Sequence, residues 1–204
     1  MSAQVLSVSL PSEIIYVSGT VNGTAYTWTL IEGAWTATVE RAADDTYHVA
    51  LTAVTAAGVS TNYALTLYYG LLSLITDRTR ADVENETDKG FYNASDLNRV
   101  GAAVEYIAGR FTALGYDCPV TVKKDWLTSD APTASQLETY RQNIATLRSR
   151  IAVMASTPEA PASMAGLNYV KANNIEQILL DLDALITNIT KSWYFSGEVY
   201  AGEV

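Results

Sequence analysis

Apolar residues recur at every second position through the first seventy residues, the pattern of strands with one buried face. Ile15 and Val17, Tyr26 and Trp28, then Trp35, Ala37 and Val39 follow it, as do Tyr47, Val49, Leu51 and Ala53, and finally Tyr63, Leu65, Leu67 and Tyr69. Asn22-Gly23 is a strong signal for a two-residue type I′ hairpin and Glu32-Gly33 a weaker one, because both central residues of that turn take positive φ. With both turns in place, Ile15 and Val17 fall opposite Leu30 and Trp28, while Leu30, Trp28 and Tyr26 fall opposite Trp35, Ala37 and Val39, all on one face. A one-residue slip would bury Thr27, Thr29, Thr36 and Thr38 instead. About six short strands predict a β-sandwich.

Beyond Gly70 the period becomes helical. A connector with a short acidic helical stretch around Arg80 to Glu86 leads to Ser95, read as the N-cap of a helix carrying Leu97, Val100, Val104, Ile107, Ala108, Phe111 and Leu114, with Gly115 as its stop. Thr133 and Gln136 form a capping box ahead of the stripe Leu137, Tyr140, Ile144, Leu147 and Ile151, whose other side bears Arg141, Arg148 and Arg150. A third helix runs from about Asn173 to Trp193, with Ile175, Ile178, Leu179, Leu182, Leu185, Ile186 and Ile189 facing a core. Thr157 to Pro161 breaks any helix, and the alternation of Val120 and Val122 suggests one further strand. The expected fold class is therefore multidomain, β then α: a sandwich over residues 1–70 and, over 71–204, a helical domain built as a bundle of about three helices.

The stretch Asp45-Thr46-Tyr47-His48-Val49-Ala50-Leu51-Thr52-Ala53-Val54-Thr55-Ala56-Ala57-Gly58-Val59-Ser60 resembles the late strands of bacterial immunoglobulin-like modules. Thr55 and Val59 stand where those modules often have Asp and Asn, so no role of those two side chains is carried over. The resemblance implies an immunoglobulin-like β-sandwich that binds, spaces or decorates.

Charge narrows the partners. Thirteen basic and 22 acidic residues give a formal net charge of -9, a field that repels nucleic acid and anionic lipid. The N-terminal sequence has no secretory signal pattern and no apolar run is long enough for a membrane span, so synthesis in the cytoplasm and no membrane partner are expected.

Candidate chemistry is sparse. His48, the sole histidine, alternates with the apolar face and reads as solvent-facing; Cys118, the sole cysteine, reads as a structural thiol. Asp44-Asp45 is turn chemistry, Asp181 and Asp183 diverge on a helix, and the run Asp82, Glu84, Glu86, Asp88 lacks calcium-loop spacing. Trp28 and Trp35 are assigned to the core and Trp126 to neither core nor surface. The expectation is a non-enzymatic chain with no catalytic, cofactor or metal residues.

Three segments, Leu74-Ile75-Thr76-Asp77-Arg78-Thr79, Gly90-Phe91-Tyr92-Asn93-Ala94-Ser95-Asp96-Leu97-Asn98-Arg99-Val100 and Trp193-Tyr194-Phe195-Ser196-Gly197-Glu198-Val199-Tyr200-Ala201-Gly202-Glu203, resemble a group of small proteins encoded among the structural genes of tailed phages and prophages of gut Firmicutes. Relative to longer members, the segment around Glu84 to Lys89 is shortened. The resemblance implies a virion component of the tail, tail tip or baseplate, made in the bacterial host cytoplasm, with other virion proteins and further copies of itself as partners. The alternative is a module for carbohydrate or cell-surface binding in host attachment, with a host surface glycan as partner. Trp193, Tyr194, Phe195, Val199 and Tyr200, set among glycines and glutamates, are the candidate interface, an aromatic docking segment.

Overall fold

The computed structural model describes residues 3–69 and 74–197, and for 193–197 the backbone alone. Strands come first: β1 (Ala3–Val8), β2 (Ile14–Val21), β3 (Thr24–Thr27), β4 (Thr29–Ile31), β5 (Ala34–Glu40), β6 (Thr46–Thr55) and β7 (Ser60–Tyr68). Helices follow: α1 (Arg80–Glu84), α2 (Ala94–Ala113), α3 (Ala134–Ser149) and α4 (Tyr169–Gly197). The strands form two antiparallel sheets, ordered β1-β5-β4 and β3-β2-β6-β7.

Both two-residue turns form as their residues dictate. Asn22 and Gly23 sit at φ 49 and 80, Glu32 and Gly33 at φ 50 and 85, and each closes its hairpin, Val21 against Thr24 and Ile31 against Ala34. Asn22 also joins this turn to β6: its Oδ1 accepts from the His48 N–H at 2.8 Å and its Nδ2 donates to the Thr46 carbonyl at 3.2 Å.

Both hairpins keep the expected register, Leu30 opposite Trp35 included, but the ladders are shorter than expected. The β2–β3 ladder ends at Ser18 with Thr27, and the chain then crosses at the buried Trp28 into the other sheet. Ile15 with Leu30, Val17 with Trp28, Trp28 with Ala37 and Tyr26 with Val39 are therefore not pairs; on their other edges β5 pairs with β1 from Trp35 to Glu40, and β2 with β6. An irregularity between Ile14 and Tyr16 shifts the side-chain parity, so Ile14 and Val17 are buried while Ile15 is 63% exposed. Leu30, at the edge strand β4, is also exposed. Elsewhere the alternation is as expected, with Tyr47, Val49, Leu51, Ala53, Leu65, Leu67, Trp28 and Trp35 in one core shared by the two sheets.

Contacts group the chain into two compact units, one comprising Met1–Ser73, Phe91–Ala102 and Lys123–Thr133, the other Leu74–Gly90, Ala103–Val122 and Ala134–Val204. Two segments that follow the strands in sequence thus belong with them in space. In the second unit Ile107, Phe111, Ile144, Leu147, Ile175, Ile178, Leu179, Leu182 and Ile186 are all fully buried. The helix starts differ from expectation in two places. Asn93, not Ser95, caps α2: its Oδ1 accepts the Ser95 N–H at 2.8 Å, and Asp96 accepts the Asn93 N–H at 2.8 Å, a reciprocal cap. Asn168 caps α4, accepting the Lys171 N–H at 3.0 Å, so that helix begins four residues before Asn173. The α2 stop is as expected, with Tyr116 N–H to Phe111 O at 3.0 Å, Gly115 N–H to Thr112 O at 2.9 Å, and the Tyr116 ring edge-on to Phe111.

The strand suggested by Val120 and Val122 is absent, and its reason is a side chain. Asn143 on α3 accepts the Thr121 N–H at 3.2 Å and donates to the Thr121 carbonyl at 2.7 Å, so a carboxamide takes the place of a neighbouring strand. Two more asparagines repeat the device. Asn173 on α4 pairs with both backbone groups of Arg78, at 3.0 and 2.9 Å. Asn98 on α2 pairs with both of Trp126, at 2.6 and 3.0 Å, and its Nδ2 reaches the Thr66 carbonyl at 2.9 Å as well.

Asn143→Asp tests this device with almost no change of shape. The acceptor for the Thr121 N–H remains, but an oxygen then faces the Thr121 carbonyl, and a loss of about 2 to 3 kcal/mol in urea unfolding is expected. An unchanged midpoint would mean that water replaces the bond at no cost.

Candidate functional site

The polar residues of the first two resemblance segments are the natural place to look for chemistry. Arg78 is 3% exposed and Glu176 is completely buried. The Arg78 Nη2 donates to Glu176 Oε1 at 2.7 Å, its Nη1 donates to the Ile75 carbonyl at 2.7 Å, and Glu176 Oε2 accepts the Ile75 N–H at 2.5 Å. One carboxylate and one guanidinium therefore close a loop around the backbone of residues 75–78, held against α4. This is charge used for architecture: Glu176 and the two Nη groups of Arg78 bond to each other and to the chain.

The second segment reads in the same way. Arg99 pairs with Asp96 at 2.5 Å, both side chains buried, and lies 5.9 Å from the centroid of the Tyr68 ring. Asn98 holds Trp126, which is itself buried. Gly90 is required by close approach, since a Cβ there would lie 2.2 Å from the Asp82 carbonyl oxygen. Asp82 in turn is the N3 residue of the capping box at Thr79.

The other candidates disperse. Cys118 is buried and its Sγ accepts from the Arg150 Nε at 3.2 Å. Arg148 leans onto the 157–159 segment, donating to the Pro158 carbonyl at 2.6 Å and pairing with Glu159. Asp183 pairs with Arg110, while Asp181 accepts from Gln177, so the two aspartates serve separate partners. Asp45 pairs with Arg41. Among the described residues, no helix is long and apolar enough to cross a membrane. The interface candidates lie outside the described side chains: Trp193, Tyr194 and Phe195 in the last turns of α4, Val199 and Tyr200 beyond residue 197.

The strand-bearing unit also has a concave surface beside His48. The outward face of β2, β6 and β7 supplies Thr20, His48, Ala50 and Thr66, and Ser95 and Trp126 supply the far wall, around a groove of about 570 Å³. Its lining includes no Asp, Glu, Lys or Arg. His48 and Thr66 are direct cross-strand partners, with Nδ1 and Oγ1 3.2 Å apart, and His48 is exposed as expected. Lys123 stands over the Trp126 ring at 4.9 Å. Beside it, burial raises the Asp125 carboxyl, but the Lys123 ammonium and the Ser9 N–H outweigh that and hold it below the ordinary aspartate range. Such a groove can offer hydroxyl and imidazole hydrogen bonds to a neutral polar ligand. The small outward residues that line it were open to reading from the strand alternation; the wall formed by Ser95 and Trp126 comes from distant sequence and was not.

No family model, curated protein or solved structure matches the chain.

Glu176→Gln leaves a buried guanidinium without its counter-charge and is expected to cost about 3 to 5 kcal/mol in chemical unfolding. Combining it with Arg78→Met should recover part of that loss. A single variant that is as stable as the parent would show that the pair is not needed.

Proposed function

We propose that the chain is a structural component of a phage virion, of the tail, tail tip or baseplate, acting through protein contacts rather than catalysis. The observation that carries this reading is the lack of charge on the sheets: across all seven strands Glu40 is the only Asp, Glu, Lys or Arg, in a chain that is 17% charged. The outward faces and edges present Thr, Ser, Ala, Asn and a few large apolar residues, including Val5, Ile31 and Tyr16. Depletion of charge marks the centres of protein interfaces, whereas a sheet facing only water normally carries charges that discourage edge pairing. The resemblance of the three segments to phage structural proteins supplies the setting.

Within this reading the strand-bearing unit is an immunoglobulin-like sandwich. Two features support it. The sheet orders β1-β5-β4 and β3-β2-β6-β7 equal the B-E-D and C′-C-F-G orders of that fold without its first strand. Tyr47, fully buried at the start of β6, accepts from the Ala42 N–H at 3.1 Å, the corner that the fold builds with a tyrosine on its sixth strand. The aromatic segment from Trp193 to Tyr200 is proposed as the docking element toward neighbouring virion proteins.

A second reading, a module that binds a host surface glycan, is favoured by the uncharged, hydroxyl-lined groove beside His48. A glycan array on the whole chain, with Thr66→Val as control, addresses it.

Tyr47→Phe should keep the ring packed and lose about 1 to 2 kcal/mol, because the Ala42 N–H loses its acceptor; a neutral effect in thermal or urea unfolding would remove the corner from the argument. Deleting Ser196 to Val204 is expected to leave the melting temperature nearly unchanged and to abolish incorporation into particles. Unfolding of the truncated chain would instead make the segment ordinary core.

A further inference from the structure

Asn22 is the chain's only asparagine followed by glycine. Such a pair carries its own chemistry, because glycine has no side chain to keep its backbone nitrogen from reaching the side-chain carbon of the asparagine before it. Both residues lie at the tip of the β2–β3 hairpin and are exposed, so water reaches them.

In the folded chain Asn22 is held against β6 through both its backbone and its side chain. Its N–H donates to the His48 carbonyl at 2.8 Å, its Oδ1 accepts the His48 N–H at 2.8 Å, and its Nδ2 donates to the Thr46 carbonyl at 3.2 Å. The carboxamide thus has both ends engaged on another strand, and turning it onto the Gly23 nitrogen requires releasing both. The backbone of the pair is fixed as well, with φ 49 at Asn22 and 80 at Gly23, as the closure of Val21 against Thr24 demands.

We infer that Asn22 is a site of spontaneous hydrolytic deamidation that the fold holds shut and that opens when the hairpin tip separates from β6. The Gly23 nitrogen gives its proton to solvent base and bonds to Asn22 Cγ; the Cγ–Nδ2 bond breaks, and the departing nitrogen takes up a proton and leaves as ammonia. Water then opens the cyclic imide. Its hydroxyl adds to one of the two imide carbons, that carbon's bond to nitrogen breaks, and the nitrogen regains a proton. Addition at Cγ gives an aspartate, and addition at the backbone carbonyl carbon of residue 22 gives an isoaspartyl link.

Neither product fits the folded tip. An aspartate keeps an acceptor for the His48 N–H but sets an oxygen against the Thr46 carbonyl, where Nδ2 had donated. An isoaspartyl link adds a main-chain atom to a turn that two residues close. Either product weakens the contact whose opening admitted the reaction, so the change runs one way and marks chains that have spent time open.

The test uses the full chain, kept at mildly alkaline pH either folded in buffer or unfolded in guanidinium chloride, and digested at intervals for peptide mass spectrometry. In the unfolded chain Asn22 should deamidate faster than every other asparagine. In the folded chain its rate should be at least about tenfold lower, since it then follows the population of the open tip. Asn22→Asp supplies a second readout: hydrogen exchange at the amides of residue 22 and His48 should be faster than in the parent. Equal rates in the folded and unfolded chains, no preference for Asn22 on unfolding, or an Asn22→Asp chain whose exchange at this tip matches the parent overturns the inference.

Discussion

Irregular backbone next to a core is costly unless each N–H and C=O finds a partner, and in this chain that constraint is met by asparagine. A carboxamide is the side-chain equivalent of a peptide group, with one donor and one acceptor side by side. Asn98, Asn143 and Asn173, one on each long helix, each grip both backbone groups of a single residue, Trp126, Thr121 and Arg78 respectively. Aspartate has the acceptor without the donor, and glutamine adds a rotatable bond whose freedom must be frozen. The helices thus do more than bury their apolar stripes: they template extended segments that have no sheet to join. The Arg78–Glu176 pair reinforces one of these clamps with charge, and the Asp96–Arg99 pair brackets Asn98 of another in sequence.

The same constraint explains how the sheets end. Late segments return to cover β7, so the fold closes one side of the strand-bearing unit with residues from 91–102 and 123–133. The short β4 and the crossing at Trp28 leave the opposite side without such cover. Glycine at the turns and threonine along the edges permit strands to form here, but neither residue deters a further strand in the way lysine or proline would.

Much of this was open to reading from sequence wherever the cause is local. Positive-φ turns, two-residue alternation and helical stripes involve residues within a few positions of one another, and Tyr47 to Ala53 or Ile175 to Ile186 fall where those patterns place them. The misreadings share a different origin. The crossing at Trp28 takes the chain from one sheet to the other, and the parity change near Ile15 lies where β2 meets β6, both set by strands distant in sequence. Ser95 and Asn93 are both good caps in isolation, and only the reciprocal bond from Asp96 decides between them. Val120 and Val122 alternate like a strand because the segment is extended, but its partner is a side chain 22 residues away. Likewise, nothing near Arg78 announces Glu176, since 98 residues separate them.

That last point bears on function. Polar residues gathered in a compact motif invite a catalytic or binding interpretation, and Arg78, Asp96, Asn98 and Arg99 would be reasonable choices on composition alone. Each is buried and turned toward protein atoms, so its chemistry is already spent on holding the chain. The outward surface of the sheets is the reverse in character: threonine, alanine and serine with almost no charge. For a sugar, the usual aromatic platform is compromised, because Trp126 is buried and carries Lys123 against its ring, leaving hydroxyls and one imidazole to do the recognition. For another protein strand, the same neutral surface and an uncovered edge need nothing added, since backbone groups supply the bonds and small side chains permit the approach. An outward sheet surface without charge therefore supports the proposed contact between proteins more than recognition of a small ligand.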